Sequence, residues 1–253
     1  MNTQSRLKPH AYVIVADTAQ GVGGDYSAFV IVDITDVPYK LVGKFRDNKI
    51  APMLYPTVIH KVAKDFNNAY VLLEVNTSEQ VAYILQSELE YENILYVTKT
   101  GKGQRVTGGF GGAGRTSFGV VTDKRVKRIG CFTFKSLVEE KKLLIQDADV
   151  ISELSTFIEH RGSYEADDGY HDDLVMPLVL FSWLTTNPYF KDLNDINVRE
   201  AMYQERIKQI EEDVIPFGFM SDGLEDEYEV DGGDAWTKEE PKQIPPGYLS
   251  SNL

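Results

Sequence analysis

The first apolar run of the chain reads Ala11-Tyr-Val-Ile-Val-Ala-Asp17. Its β-branched residues, without polar alternation, predict a strand that is buried on both faces at the centre of a sheet. Three glycines between residues 21 and 24 allow a sharp turn, after which residues 26–33 repeat the strand pattern. Asp17 therefore stands at the end of a central strand, where a buried charge costs several kcal/mol unless it is paired, hydrated or bound to a metal ion.

The rest of the first hundred residues alternates strand and helix patterns. Three consecutive strands joined by short turns predict an antiparallel meander. The elements that follow predict an α/β fold in which parallel strands extend the meander into a mixed sheet with helices on both faces. These elements are strand 39–46, helix 52–66, strand 69–75, a helix that starts after Asn76 or Thr77, and strand 94–97.

The second half of the chain is predominantly helical in pattern. It predicts helices at 133–146 and 149–159, a polar connection at 161–169, an almost wholly apolar helix at 170–184 that accommodates Pro177, and a charged helix at 196–214. We expect residues 1–10 to be a leader or linker, residues 11–215 to form the domain, and residues 216–253 to form a flexible acidic tail.

The composition excludes several classes of protein. Of the 253 residues, 42% are hydrophobic, which argues against a disordered chain. The single cysteine, Cys131, excludes an internal disulfide framework and a zinc site built from cysteines. No apolar run approaches the roughly 20 residues of a membrane span, and the first residues lack the apolar centre of a signal peptide. We therefore expect a cytosolic protein without a membrane partner.

The net charge of −13 conceals two segments of opposite sign. Residues 222–240 have a net charge of −8, whereas residues 99–128 have a net charge of +7, because Asp123 is their only acid. The glycine-rich segment 98–130 is predicted to be a basic arm or hairpin, although a solvated loop with chance positive charge would have the same composition. Its basic residues are Lys99, Lys102, Arg105, Arg115, Lys124, Arg125, Lys127 and Arg128.

Carboxylates interrupt or adjoin three apolar elements. Asp17 ends the first strand, Glu74 lies near the end of the fourth strand, and Asp172 and Asp173 open the apolar helix. Each has an ordinary structural explanation: an Asx-turn for Asp17, a buried ion pair for Glu74, and a helix N-cap for one of the aspartates.

The three positions are more informative together. If the first and fourth strands are neighbours, Asp17 and Glu74 project near each other. Two carboxylates about 5 Å apart repel by roughly 3 kcal/mol at an effective dielectric constant of 20. A divalent cation relieves that repulsion, and oxygen ligands suit Mg²⁺ or Mn²⁺. Two such ions, about 3.5–4 Å apart, are an established arrangement for phosphodiester cleavage.

Three motifs carry a resemblance to a known family. The chain contains, in this order, Val-Ala-Asp17-Thr-Ala-Gln-Gly-Val-Gly-Gly-Asp25-Tyr-Ser-Ala, then Leu-Leu-Glu74-Val-Asn, and then Tyr-His171-Asp172-Asp173-Leu-Val. With the meander and the late helix, these motifs resemble the C-terminal nuclease domain of the large terminase subunit of tailed phages, of the myovirus type. That domain belongs to the RNase H-like superfamily, and the resemblance covers about residues 8–215.

The resemblance implies a set of metal ligands. By this resemblance, Asp17, Glu74 and one aspartate of the pair hold two Mg²⁺ or Mn²⁺ ions, and Asp25 matches an accessory acid. The superfamily's junction resolvases carry their late acid immediately before an apolar run, which favours Asp173 over Asp172.

The resemblance also implies a function, a set of partners and a location. The expected activity is metal-dependent cleavage of concatemeric viral DNA during genome packaging, with the basic segment contacting phosphates of the double-stranded DNA. The expected partners are a packaging ATPase domain or chain, the portal and the small terminase subunit, at the prohead portal in the host cytoplasm. The sequence lacks a G-x-x-x-x-G-K-[ST] loop, so the ATPase is expected on another domain or chain.

Two other classes of function are compatible with parts of the sequence. A sugar-kinase or actin-like ATPase also begins with a meander and an aspartate near a glycine turn, but 253 residues leave no room for its second half. A catalytically silent docking module could bind the packaging machinery through the acidic tail. A nuclease assay with Mg²⁺ or Mn²⁺ separates this module from an enzyme.

Overall fold

The computed structural model describes residues 10–18, 26–76, 79–107, 115–160 and 162–193. These residues all belong to one compact unit, Met1–Gln209, and the second unit, Ile210–Leu253, lies outside them. The predicted charged helix at 196–214 and the acidic tail also fall outside the described residues, as does all of the predicted leader except His10. No helix within the described ranges is long and apolar enough to cross a membrane.

The named elements of the described residues are ten strands and five α-helices, and residues 188–193 are helical as well. The strands are β1 (Tyr12–Asp17), β2 (Ser27–Asp33), β3 (Tyr39–Asp47), β4 (Tyr70–Leu73), β5 (Tyr96–Thr100), β6 (Gly103–Thr107), β7 (Arg115–Ser117), β8 (Leu143–Leu144), β9 (Phe157–His160) and β10 (Ser163–Ala166). The helices are α1 (Tyr55–Asp65), α2 (Gln80–Tyr83), which continues as a π-helical turn over Ile84–Glu88, α3 (Lys124–Glu139), α4 (Ala148–Ser155) and α5 (Val175–Thr185).

The central sheet has the strand order β4-β1-β2-β3-β8. Strands β1, β2 and β3 form the predicted antiparallel meander, while β4 pairs parallel to β1 and β8 pairs parallel to β3. Beyond β4, a parallel bridge between Val71 and Ile94 continues the sheet for one residue pair. The predicted mixed sheet of the α/β class is therefore confirmed.

Both faces of the central sheet are covered by helices. Val13 and Val15 of β1 pack in one apolar cluster with residues of α3 and α5, whereas Ile14 and Ala16 pack on the opposite face with residues of α1 and α2. This division follows from the two-residue period of a strand, in which successive side chains point to opposite faces. The first apolar run is thus buried on both sides, as its composition predicts.

The structure corrects the prediction for the end of the basic segment. Helix α3 begins at Lys124 rather than at residue 133, because the Asp123 side chain caps it. Asp123 Oδ1 accepts hydrogen bonds from the backbone amides of Arg125, at 2.9 Å, and Val126, at 2.8 Å. Residues 124–130 are therefore helical, and the prediction that they belong to an arm is wrong. Residues 96–107 do form a hairpin, from β5 and β6, with β7 on the other side of β5.

Several helix boundaries also differ from the predictions. Helix α3 ends at Glu139, Lys141 adopts a φ of 57°, and β8 then pairs with β3 where the pattern predicted more helix. Residues 157–159 lie in the β9–β10 hairpin rather than in a helix. Helix α5 begins at Val175 rather than at 170, and α2 begins at Gln80 because Asn76 bonds to the backbone of Thr122 instead of capping the helix. Pairing with β3 outweighs the local helical pattern at β8, and pairing with the neighbouring strand β10 outweighs it at residues 157–159.

Candidate active site

Asp17 and Glu74 lie side by side at one edge of the sheet. Strands β1 and β4 are parallel neighbours with Ala16 opposite Leu73, and the Glu74 amide donates to the carbonyl oxygen of Ala16 at 2.8 Å. The alternation along each strand turns both side chains toward the face that α5 covers. Their carboxyl groups are hydrogen-bonded to each other. Glu74 is 7% exposed, and Asp17 is half-buried.

Asp173 reaches this edge from the segment that precedes α5. Helix α5 packs against β1, and the Tyr26 amide, just before β2, donates to Asp173 Oδ1 at 3.4 Å. The other oxygen, Oδ2, is buried without a hydrogen-bond partner, and His171 Nδ1 lies 3.6 Å from it. Asp172 is also half-buried, and its carboxylate accepts a hydrogen bond from the Ala166 amide.

The four acids share one electrostatic environment. Burial, the hydrogen bond and charge of Glu74, and the charges of Asp173 and Asp172 raise the pKa of Asp17 well above its ordinary value. Burial likewise raises the pKa of Asp172 and Asp173. Burial outweighs the nearby positive charges, since Lys127 beside Asp172 and His171 and Arg46 beside Asp173 lower the pKa values of those acids without cancelling the rise.

The donor chemistry of this cluster fits a hard divalent cation. Its carboxylate oxygens are the ligands that Mg²⁺ and Mn²⁺ prefer, and the unpartnered Oδ2 of Asp173 is a free acceptor. In the part of the chain that the structure describes, no three His, Cys, Asp or Glu side chains already stand in a metal-ligating arrangement. Asp25, the predicted accessory acid, lies outside the described residues.

Neither the helix-cap explanation for Asp172 and Asp173 nor the ion-pair explanation for Glu74 holds. Helix α5 has Leu174 at its N-cap and no capping bond from its own flanking side chains. Glu153 of α4 performs that role instead, because its Oε2 accepts from the Leu174 amide at 2.8 Å. Asp172 and Asp173 are therefore not the caps of α5. Within the described ranges, Glu74 forms no ion pair with Lys or Arg, so the buried-ion-pair hypothesis also fails there.

Arg46 and Glu153 support the site, and neither was predicted from the sequence. The Arg46 guanidinium of β3 pairs with Glu153 Oε1 and lies 4.9 Å from the ring centroid of Tyr26. The Tyr26 ring packs edge-on against His171 at 5.3 Å, and its amide holds Asp173. A buried acid in the amphipathic helix α4 was the available sequence signal. Its partners on β3 and α5 become evident only in the folded chain.

The predicted DNA-binding residues separate into three locations. Lys99 and Arg115 face each other across β5 and β7. Lys124, Lys127 and Arg128 lie on the first turns of α3, where half-buried Lys127 lies near enough to Asp172 to offset its charge. The remaining three, Lys102, Arg105 and Arg125, line a common cavity.

The mixed sheet, with four acids gathered at one edge, is of the RNase H-like class. Residues 14–181 match the family model described as the terminase RNase H-like domain, and the chain belongs to that family. The resemblance predicted from the three motifs is thus confirmed.

Solved structures show the same fold. The chain is similar to the large terminase nuclease from thermophilic phage G20c in its magnesium-bound and cobalt-bound crystal structures, each with a TM-score of 0.50. Each comparison has 20% sequence identity and covers 68% of this chain and 80% of the phage G20c chain.

Proposed function

We propose that this chain is a divalent-metal-dependent DNA endonuclease that cuts concatemeric viral DNA during genome packaging. The observation that carries the proposal is the convergence of Asp17, Glu74 and Asp173 from three separate elements onto one sheet edge, with a raised pKa at Asp17. Membership in the terminase RNase H-like family supports it.

We assign the metal ligands to Asp17, Glu74 and Asp173, with Asp172 and Asp25 as further candidate ligands. Two Mg²⁺ or Mn²⁺ ions bound there would lower the pKa of the attacking water and stabilise charge on the scissile phosphate. The chain contributes a rigid frame for its acids: the backbone of β1 and β4 sets Asp17 beside Glu74, while Tyr26 orients Asp173. Arg46 and Glu153 hold the start of α5 in place.

The basic residues would supply binding rather than chemistry. Arg and Lys side chains contact backbone phosphates without reading base sequence, so their role suits cleavage of many sites. The Asp172 carboxylate next to Lys127 links this basic surface to the acid cluster. We propose double-stranded DNA as substrate, and a packaging ATPase domain or chain, the portal and the small terminase subunit as partners at the prohead portal in the host cytoplasm.

Cleavage of supercoiled plasmid tests this proposal. With millimolar Mg²⁺ or Mn²⁺ the full chain should nick and linearise the plasmid, and chelator should stop it. Asp17→Asn, Glu74→Gln and Asp173→Asn should each abolish cleavage with circular dichroism unchanged. Asp65→Asn is the matched control, because Asp65 is an exposed acid at the end of α1. A wild-type chain that cuts no DNA with either metal would favour the docking module. Full activity in two of the three site variants would refute the assignment of the acids.

A further inference from the structure

A cavity of 340 Å³ lies between the β5–β6 hairpin, the start of α3 and the segment that follows α5. Three of its lining residues are the cations Lys102, Arg105 and Arg125, and one is an acid, Asp123. The cavity lining therefore has a net charge of +2.

The acid in this cavity already accepts hydrogen bonds from the protein, whereas the cations have no ion-pair partner among the described residues. Asp123 Oδ1 caps α3, and its Oδ2 accepts from Gln104 Nε2 at 3.1 Å. Among the residues that the structure describes, Lys102, Arg105 and Arg125 form no ion pair. Their charge is available to an anion from outside.

The walls of the cavity are fixed before any ligand arrives. Gln104 is held at both ends of its amide: Nε2 donates to the Val121 carbonyl at 2.6 Å, and Oε1 accepts from the Val121 amide at 2.9 Å. Asn187 Oδ1 accepts from the Val106 amide at 3.1 Å, and its Nδ2 donates to the Trp183 carbonyl at 3.0 Å. A ligand here would not have to order these side chains on binding.

Arg125 itself packs closely against the hairpin. Gly103 has a φ of +117°, and a Cβ built on it would lie 3.3 Å from Arg125 Nη1. Glycine at this position allows the backbone conformation and the close approach of the guanidinium. The planar guanidinium is the side chain best suited to bind two phosphate oxygens at once.

A short segment connects this cavity to the candidate active site. Val120 forms a parallel bridge with Glu74, and the Val75 amide donates to its carbonyl at 3.0 Å. The chain then runs through Val121, which Gln104 holds, to Asp123 in the cavity wall. Three extended residues span at most about 10 Å. Because successive phosphates of one strand advance about 3.4 Å along the duplex axis, the cavity lies within a few nucleotides of the acids.

We propose that this cavity binds one phosphodiester of the DNA backbone, at a fixed small distance along the strand from the phosphate that is cut. The proposal rests on the proposed nuclease function. It assigns Lys102, Arg105 and Arg125 to a specific anchor, distinct from Lys124 and Arg128, which lie outside the cavity lining. A phosphate is the proposed ligand, because the three cations that line the cavity offer charge-assisted hydrogen bonds to phosphate oxygens.

Cleavage of a synthetic duplex with one neutral linkage tests the anchor. A single methylphosphonate is placed near the centre of one end-labelled strand, and all cuts are mapped with Mg²⁺ or Mn²⁺. For the wild-type chain, cutting should be suppressed at the neutral linkage and again at a second position offset from it by a few nucleotides. Each such position of suppressed cleavage is called a gap. At the second gap, cleavage should be about tenfold weaker than on the unmodified duplex, the effect of losing one charge-assisted hydrogen bond.

Two sets of variants locate the anchor. Arg125→Gln and Arg105→Gln should each lose the second gap while keeping the first. The double variant Lys124→Gln with Arg128→Gln removes charge from the same helix outside the cavity, so it should cut more weakly at all positions but keep both gaps. Circular dichroism checks that each variant is folded, and the two cavity variants serve as alternatives to each other.

The outcomes separate the two proposals. No cleavage by the wild-type chain would overturn the proposed function itself. Cleavage with a gap only at the neutral linkage, or an unchanged second gap in both cavity variants, would overturn the anchor and leave the nuclease intact. Loss of the second gap in the Lys124/Arg128 variant would move the contact from the cavity to the exposed start of α3 and would also refute the proposal.

Discussion

Asp17→Asn is expected to stabilise the metal-free protein while it removes metal binding. In the wild-type chain Asp17 and Glu74 share a hydrogen bond at the sheet edge, and burial together with three neighbouring acids raises the pKa of Asp17. Asparagine keeps the shape of the side chain and cannot ionise. The substitution therefore removes one of the negative charges that repel one another in the folded state.

The size of the effect follows from the pair repulsion and its screening. Two full charges about 4 Å apart at an effective dielectric constant of 20 repel by about 4 kcal/mol. Asp17 is half-buried and shares a hydrogen bond with Glu74, so most of that repulsion is relieved by solvent and by protonation. We therefore expect the variant to gain about 1 kcal/mol, a fraction of the unscreened pair repulsion, or about 2–4 °C in Tm, at neutral pH.

The gain should depend on pH with a defined sign. The folded-state pKa of Asp17 lies above its unfolded value, so the folded state binds more protons between these two values. The destabilisation of the wild-type protein by ionised Asp17 is complete above the raised pKa and decreases as the pH falls through that pKa. It vanishes below the ordinary aspartate pKa of about 3.9. The variant should therefore exceed the wild type in Tm at neutral pH and match it under acid conditions.

Bound metal should make the wild type more stable than Asp17→Asn and so reverse their order of thermal stability. A cation that binds only the folded site raises stability by about 2.7 kcal/mol at one hundred times its Kd. Melting curves with chelator and with increasing Mg²⁺ should show a rising Tm for the wild type and for Asp65→Asn, and little response for Asp17→Asn. Equal Mg²⁺-induced shifts in the three proteins, or a metal-free variant less stable than the wild type at neutral pH, would refute this reasoning.

Three further sets of substitutions test other parts of the structure. Glu153→Ala should lower stability by about 1–3 kcal/mol and raise the Mg²⁺ concentration needed for cleavage, because it uncaps α5 and leaves Arg46 unpaired. Glu153→Gln keeps a hydrogen-bond acceptor and should recover most of the metal response. Failure of Glu153→Gln to do so would exclude a positioning role for Glu153. Replacing the four basic residues at the start of α3 with glutamine should lower the slope of log K for DNA against log salt by up to about 0.9 per lost phosphate contact, and an unchanged slope would place the duplex elsewhere. Gly130→Ala should destabilise by about 1–3 kcal/mol or more in chemical denaturation, since its Cβ would lie 2.5 Å from the Val179 carbonyl oxygen of α5, while Gly101→Ala, which meets nothing within 4 Å, should have little effect.

Local pattern was sufficient to predict most of the central sheet and the acids at its edge. Strands β1, β2 and β4 are runs of apolar residues long enough to be identified without knowledge of their neighbours. The two-residue period of a strand then turns Asp17 and Glu74 to the same face once β1 and β4 pair. Acids at the ends of apolar runs are visible in sequence because the cost of burying an isolated charge makes them rare as core residues.

Pairing between distant segments was beyond the reach of local pattern. Helix α5 is capped by Glu153 of α4, and Arg46 of β3 holds that acid in place. These contacts join residues that have no periodic relation along the chain. The helical pattern at 157–159 also gave a wrong prediction, because hydrogen bonds to the adjacent strand β10 satisfy that backbone in extended form.

The basic segment shows most clearly which properties the sequence determines and which only the tertiary structure decides. Its charge was evident from composition alone, because composition counts side chains wherever they lie. Only the tertiary structure separates Lys102, Arg105 and Arg125, which face one cavity, from Lys124 and Arg128, which do not. The physical reason is that a cavity is formed by side chains from a hairpin, a helix start and a helix end at once. Packing alone brings these three elements together.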